Sequence, residues 1–190
     1  MKKSKLRKIY LTKQKSLIKL QRREKSLQIT KNLFANFGLQ NVRYLHLFLS
    51  IAEKGEIENF FIYQSLLRHF PDVKVIVPRV NFEKDFLQHI EMNNNTLLQI
   101  NRWGIPEAVG DEFIDEKKLD IVLVPMLCFD ERGFRVGYGK GFYDKFLSKC
   151  REDCLKVGLS FFAPVDEIED INDFDVKLDY CITPQKIWEF

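Results

Sequence analysis

Short apolar runs that alternate with helical stretches predict a three-layer α/β/α domain with a mostly parallel central sheet, Rossmann-like in architecture. Two features carry this expectation. Leu119 to Leu127 (LDIVLVPML) is apolar at nearly every position after Asp120, as a strand covered on both faces must be. Residues 4 to about 37 form a long, proline-free, basic helical stretch ahead of the first strand. The 190 residues fit one domain over 1–190, with no linker, no repeat and no low-complexity tract beyond the basic start.

The elements follow in order. Leu6, Ile9, Tyr10, Leu17, Leu20, Leu27 and Leu33 recur at roughly helical spacing. Gly38 supplies a stop, and Thr12 is a candidate break into two helices. Arg43 to Leu49 (RYLHLFL) reads as a strand, Ile57 to His69 as a helix, and Val73 to Val77 as a strand closed by Pro78. Asp85 to Met92 and Thr96 to Asn101 are expected to pair as a hairpin around Asn93, Asn94 and Asn95, with residues 102–118 a loop. The buried strand over Leu119–Leu127, a helix from Phe142 to Cys150, a strand from Leu155 to Phe161 and a short one from Tyr180 to Thr183 complete the order.

Hydrophobic residues make up 45% and charged residues 30% of the chain, which suits a soluble domain with a real core. No apolar run approaches the ~20 residues of a membrane span. The basic N-terminus lacks the apolar stretch and cleavage site of a secretory signal. Cys128, Cys150, Cys154 and Cys181 form no CxxC pair and read as reduced, packed thiols, so a cytoplasmic protein is expected. His46, His69 and His89 suggest no catalytic cluster.

Charge is uneven. Residues 1–31 hold twelve Lys/Arg and one acid, a local charge of +11; with +3 for the whole chain, residues 32–190 carry −8. A basic start on an acidic body points to an anionic partner without saying which. Nucleic acid is one rival, although no recognised motif supports it. A sugar-phosphate isomerase or acyl-CoA transferase is another, because fold alone does not set chemistry.

The segment Arg135-Val136-Gly137-Tyr138-Gly139-Lys140-Gly141-Phe142-Tyr143-Asp144 is the strongest chemical signal. Alternating glycines permit unusual backbone angles and close approach of a ligand. Successive free amides make an anion cradle, and Lys140 adds a mobile charge suited to phosphate. Neither a Walker loop nor a GxGxxG fingerprint fits the spacing. Position supports function all the same: the segment follows a buried strand, where open α/β sheets bind ligands. A plain glycine-rich turn is the competing explanation. Asp144 reads equally as a helix-dipole carboxylate or as a magnesium ligand.

With the preceding Val124-Pro125-Met126-Leu127-Cys128-Phe129-Asp130, this segment closely resembles the signature of the 5-formyltetrahydrofolate cyclo-ligase family. Shorter matches occur in the same order: Lys3-Ser4-Lys5-Leu6-Arg7, Phe48-Leu49-Ser50 with Glu56, Trp103-Gly104-Ile105-Pro106-Glu107, and Phe174 to Asp179. The resemblance implies conversion of 5-formyltetrahydrofolate to 5,10-methenyltetrahydrofolate with ATP and Mg2+, through a phosphorylated formyl group. It implies that Lys3, Arg7, Arg135, Gly137, Tyr138, Gly139, Lys140, Gly141, Phe142 and Tyr143 hold ATP. Lys140, Arg135 and Tyr143 would act on the reacting groups. Leu49, Glu56 and Trp103, with Tyr138, Gly139, Lys140, Gly141 and Phe142, would hold folate, and Asp144 and Asp175 the metal. Phe142 departs from the tyrosine usual in the family. The partners implied are these small molecules, with no nucleic acid, no membrane and a monomeric chain.

Overall fold

The structure, a computed structural model, describes residues 1–102 and 104–190. It opens with two helices, α1 (Lys3–Ser16) and α2 (Lys19–Asn36). The break falls at Leu17 and Ile18, not at Thr12. The Thr12 hydroxyl donates to the Lys8 carbonyl one turn back at 3.0 Å and stays inside the helix. Leu17 and Ile18 are extended, and the Gln21 side chain accepts from the Ile18 N–H at 3.2 Å to start the second helix.

The strands β1 (Tyr44–His46), β2 (Lys74–Asn81), β3 (Phe86–Met92), β6 (Ile121–Pro125), β9 (Leu155–Leu159), β10 (Tyr180–Ile182) and β11 (Ile187–Glu189) form a seven-stranded sheet in the order β11-β10-β9-β6-β1-β2-β3. The inner pairings are parallel, and the edge strands β3 and β11 run antiparallel. Helix α3 (Phe60–His69) lies with α2 on one face, and the short α4 (Phe142–Leu147) on the other. β6 shows the three layers in one strand: Ile121 and Leu123 pack toward Ile29, Leu33 and Leu66, whereas Val122 and Val124 pack toward Phe146 and Leu147. The mostly parallel α/β arrangement expected from the sequence is therefore present.

Several local expectations fail for identifiable reasons. β2 runs through Pro78 to Asn81. Ile76 faces β1, where its carbonyl accepts from the Leu47 N–H, and by alternation Pro78 points to that same side, past the end of β1. Its missing N–H therefore breaks no ladder bond. Asn93 does open a turn, but the expected hairpin does not form around it. β3 pairs with β2, since Leu87, Ile90 and Met92 need the core. The exposed β4 (Leu98–Ile100) pairs with β5 (Pro106–Ala108), inside the stretch expected to be loop. The helix expected to reach Cys150 ends at Leu147. β11 was not expected at all.

A third apolar cluster fastens the basic N-terminal helix to the body. Leu6 and Tyr10 of α1 pack on Leu127, Cys128, Val136 and Ile168, next to the small hairpin of β7 (Cys128–Phe129) and β8 (Arg135–Val136). α1 is thus a fixed wall and not a free arm. Among the described residues, no helix is long and apolar enough to cross a membrane.

Candidate active site

A cleft of about 660 Å3 lies over the carboxyl ends of β6, β1 and β2. That is the edge where open parallel sheets receive ligands. One wall is apolar, with Phe48, Leu49, Pro78, Val80, Leu87 and Phe142. The other is the glycine-rich loop with charged groups around it.

The hairpin of β7 and β8 sends the chain out of the sheet, and Gly139 and Gly141 then take positive φ of 91° and 70°. An L side chain at either position would be strained. A Cβ on Gly139 would also lie 3.1 Å from the Arg7 guanidinium carbon, whereas one on Gly141 would meet nothing within 4 Å. α4 has six residues, so its dipole contributes less than the longer helix read from the sequence would. An anion bound here would rest chiefly on the loop amides and the neighbouring cations.

Those cations converge from distant parts of the chain. Lys3 and Arg7, one turn apart on α1, both line the cleft. Arg7 Nε donates to the Gly137 carbonyl at 3.0 Å and braces the loop, while Lys3 pairs with Asp175. Arg135 has only 5% of its side chain exposed and donates to Asp144 Oδ1 at 2.6 Å and to the Val176 carbonyl. Burial pulls the Arg135 pKa down and Asp144 opposes this, so the guanidinium keeps its charge. Lys140 is exposed on the loop.

Asp144 and Asp175 both line the cleft, and each uses one oxygen for its ion pair and a backbone amide. Asp144 Oδ2 and Asp175 Oδ1 have no hydrogen bond among the described residues. The described residues hold no cluster of three or more His, Cys, Asp or Glu that could hold a metal unaided.

Glu56 is buried beside the loop, behind the left-handed Gly55. Its Oε2 accepts from the Ile51 N–H at 2.7 Å, and the nearby Tyr138 hydroxyl favours its charged form. Burial raises the Glu56 pKa, against the pull of Tyr138, Ile51 and Lys54. Lys54 Nζ sits 4.2 Å from the Tyr138 ring centroid, a cation–π contact. The Tyr143 ring packs on His46 and Phe146, and its buried hydroxyl lacks a hydrogen-bond partner among the described residues. Burial, then the Glu56 charge, push its pKa well up, so it remains a neutral donor. A buried, unpaired hydroxyl in a cleft wall suits a ligand acceptor.

The cleft thus gathers every residue assigned from the signature except Trp103, which lies outside the described residues. Three contributors were not assigned. Glu107 is buried on the cleft wall, where its Oε1 accepts from the Val80 N–H at 3.2 Å. Lys54 and Gln14 complete the surroundings of Tyr138. Glu107 stands inside the recognised Trp103–Glu107 match, so its position was available; Gln14 carries no local signal.

Sequence and structure comparisons identify the same family as the signature. The profile of the 5-formyltetrahydrofolate cyclo-ligase family matches residues 1–184. The chain belongs to the 5-formyltetrahydrofolate cyclo-ligase family. A probable cyclo-ligase of Schizosaccharomyces pombe is 36% identical over 105 residues, 47% of this chain and 51% of that protein. The cyclo-ligase of Mycoplasma genitalium is 27% identical over 183 residues, 94% of this chain and 97% of that one. The solution structure of Aquifex aeolicus 5,10-methenyltetrahydrofolate synthetase superposes with a TM-score of 0.83 at 28% identity, covering 100% of this chain and 93% of that one.

Behind Tyr143, the structure brings His46 and His89 together, with ring centroids 5.2 Å apart. Both are buried against Phe146, outside the cleft lining. No motif marks this pair, and neither residue lines the cleft. Burial, then the neighbouring His89, push the His46 pKa well down. Burial pushes His89 down to about 4, against Glu116 and Asp115 and with Lys149. Between pH 6.5 and about 4 the unfolded chain therefore binds more protons than the folded one. Stability is full above about pH 6.5 and declines as pH falls, by about 3 kcal/mol from His89 alone at the acid end. Urea melts from pH 8 to pH 5 should show about 2 kcal/mol of this loss, and His89→Phe should make the profile shallower. An equally steep profile in the variant would assign the loss to other groups.

Proposed function

We propose that the cleft brings the two substrates of a 5-formyltetrahydrofolate cyclo-ligase together, the ATP triphosphate on the glycine-rich loop and the pterin on Glu56. The observation that carries this is the placement of a buried carboxylate beside a cation-ringed anion cradle within one cleft. A pterin presents adjacent N–H donors that one carboxylate accepts together. The apolar wall of Leu49, Phe142 and Phe48 suits its flat ring, and Phe142 stacks without a hydroxyl.

In this placement the formyl oxygen attacks the γ-phosphorus and ADP leaves. The second folate nitrogen then attacks the activated carbon, the carbon–oxygen bond breaks, phosphate departs and the nitrogen's proton is lost. The product is 5,10-methenyltetrahydrofolate. The protein need only position the reactants and neutralise charge, as in phosphoryl transfer generally. Lys140 and Arg135 face the transferred group's developing charge, Lys3 and Arg7 the rest of the triphosphate, and the Tyr143 hydroxyl donates into the site. Asp144 and Asp175 each offer one unpartnered oxygen beside the phosphate cradle, which fits Mg2+, an ion held by one or two carboxylates plus phosphate oxygens. Bound there, it would neutralise charge on the phosphates.

The test is direct. Protein mixed with Mg-ATP and 5-formyltetrahydrofolate should develop the methenyl product's near-ultraviolet absorbance, and omission of ATP should abolish it. Absence of the signal with both substrates present would reject the assignment.

A further inference from the structure

The buried amide of Gln14, on α1, joins two parts of the cleft wall that are far apart in sequence. Its Nε2 donates to the Lys54 carbonyl at 2.9 Å and to the Tyr138 hydroxyl at 3.2 Å. A carbonyl can only accept, so the contact with Lys54 settles which end of the amide faces inward. Both Nε2 hydrogens are then engaged. Tyr138 accepts one of them, which leaves its own single proton free toward Glu56, whose charged form this hydroxyl favours. The Ile51 N–H, which donates to Glu56 Oε2 at 2.7 Å, favours the carboxylate in the same sense.

We propose that Gln14 is a positioning residue for folate, acting through the Tyr138 hydroxyl on the Glu56 carboxylate. The inference rests on the assignment of the pterin to Glu56. The groups facing Glu56 are Tyr138, Lys54, the Ile51 N–H and, from the other side of the loop, Tyr143. Of these, Gln14 holds the Tyr138 hydroxyl directly and Lys54 through its backbone. Close packing keeps the helix in place: a Cβ on Gly55 would lie 3.1 Å from the Gln14 carbonyl oxygen, so α1 and the 51–55 turn pass almost backbone to backbone.

Gln14→Met keeps the side chain's length and removes both donors. The KM for 5-formyltetrahydrofolate should rise roughly five- to tenfold with the KM for ATP unchanged, the size of a lost hydrogen bond to a charged system. The acidic limb of kcat/KM for folate should move up by about 0.5–1 unit, because Glu56 loses a donor that favours its charged form. In a Tyr138→Phe background the same substitution should add nothing further. Additive effects, an unmoved acidic limb, or equal changes in both KM values would overturn the inference. If Gln14→Met does not fold, Gln14→Glu preserves shape but makes the group an acceptor, which draws the Tyr138 proton away from Glu56; an unchanged folate KM there would also overturn it. Glu56→Gln separates the premise from the inference. If it raises the folate KM while the Gln14 variants do not, only the role of Gln14 fails. If it leaves the folate KM unchanged, the pterin assignment fails and the inference with it.

Discussion

Replacing Lys140 with alanine is expected to lower turnover roughly 10²–10³-fold, the usual cost of removing one preorganised group from developing charge. The melting temperature should stay within about 2 °C, since the side chain is exposed and makes no hydrogen bond or ion pair among the described residues. The two readouts together separate a phosphate-binding role from a structural one. Gly139 and Gly141 hold the loop on either side of the lysine whether or not its side chain is present. Loss of activity without loss of fold would therefore report on charge at the phosphates. Near-normal turnover would take Lys140 out of that role.

Lys140 also shows what was legible in the sequence. The glycine-rich loop could be read because its chemistry is contiguous: glycines, lysine and acid stand within eight residues of one another, next to a strand whose apolarity betrays burial on both faces. Lys3 and Arg7 could be placed on one face of α1 because helical spacing is local, and both line the cleft. Pairing partners could not be read in this way. β3 and β4 both adjoin the same asparagine turn, and only the buried faces of Leu87 and Ile90, set against the exposure of Leu98 and Ile100, decide that β3 joins the main sheet. The support for Tyr138 was equally hidden, because Gln14 reaches it across 124 residues of chain, and an isolated glutamine on a basic helix has no periodic or chemical signature. The His46–His89 contact is of the same kind, made by the antiparallel edge pairing of β3 beside β2 and not by any motif.

Arg135→Met should be damaging in a second way, because Arg135 holds the site together as well as carrying charge. Its side chain is almost fully enclosed, and it ties Asp144 at 2.6 Å and the Val176 carbonyl, one residue beyond Asp175. Asp144 in turn accepts from the Val176 N–H at 3.2 Å. Removing the guanidinium leaves the carboxylate without its cation and the carbonyl without its donor. Asp144 keeps 28% exposure and so partial hydration, which puts the cost near the low end for a broken buried pair, about 3 kcal/mol. For a chain of this length that is a fall in melting temperature of roughly 6–12 °C. Turnover should fall by more than in Lys140→Ala, since positive charge leaves the cradle and Asp144, one of the two proposed metal-binding carboxylates, loses its cation. Asp144→Asn alone should destabilise less, because the amide oxygen can still accept from Arg135 and Val176, yet it should weaken the response of turnover to Mg2+. In the double variant the stability losses should be less than additive, because the two groups share one contact. Strict additivity, measured by denaturant titration of the four proteins, would show that Arg135 and Asp144 act independently and that the ion pair does not organise the loop.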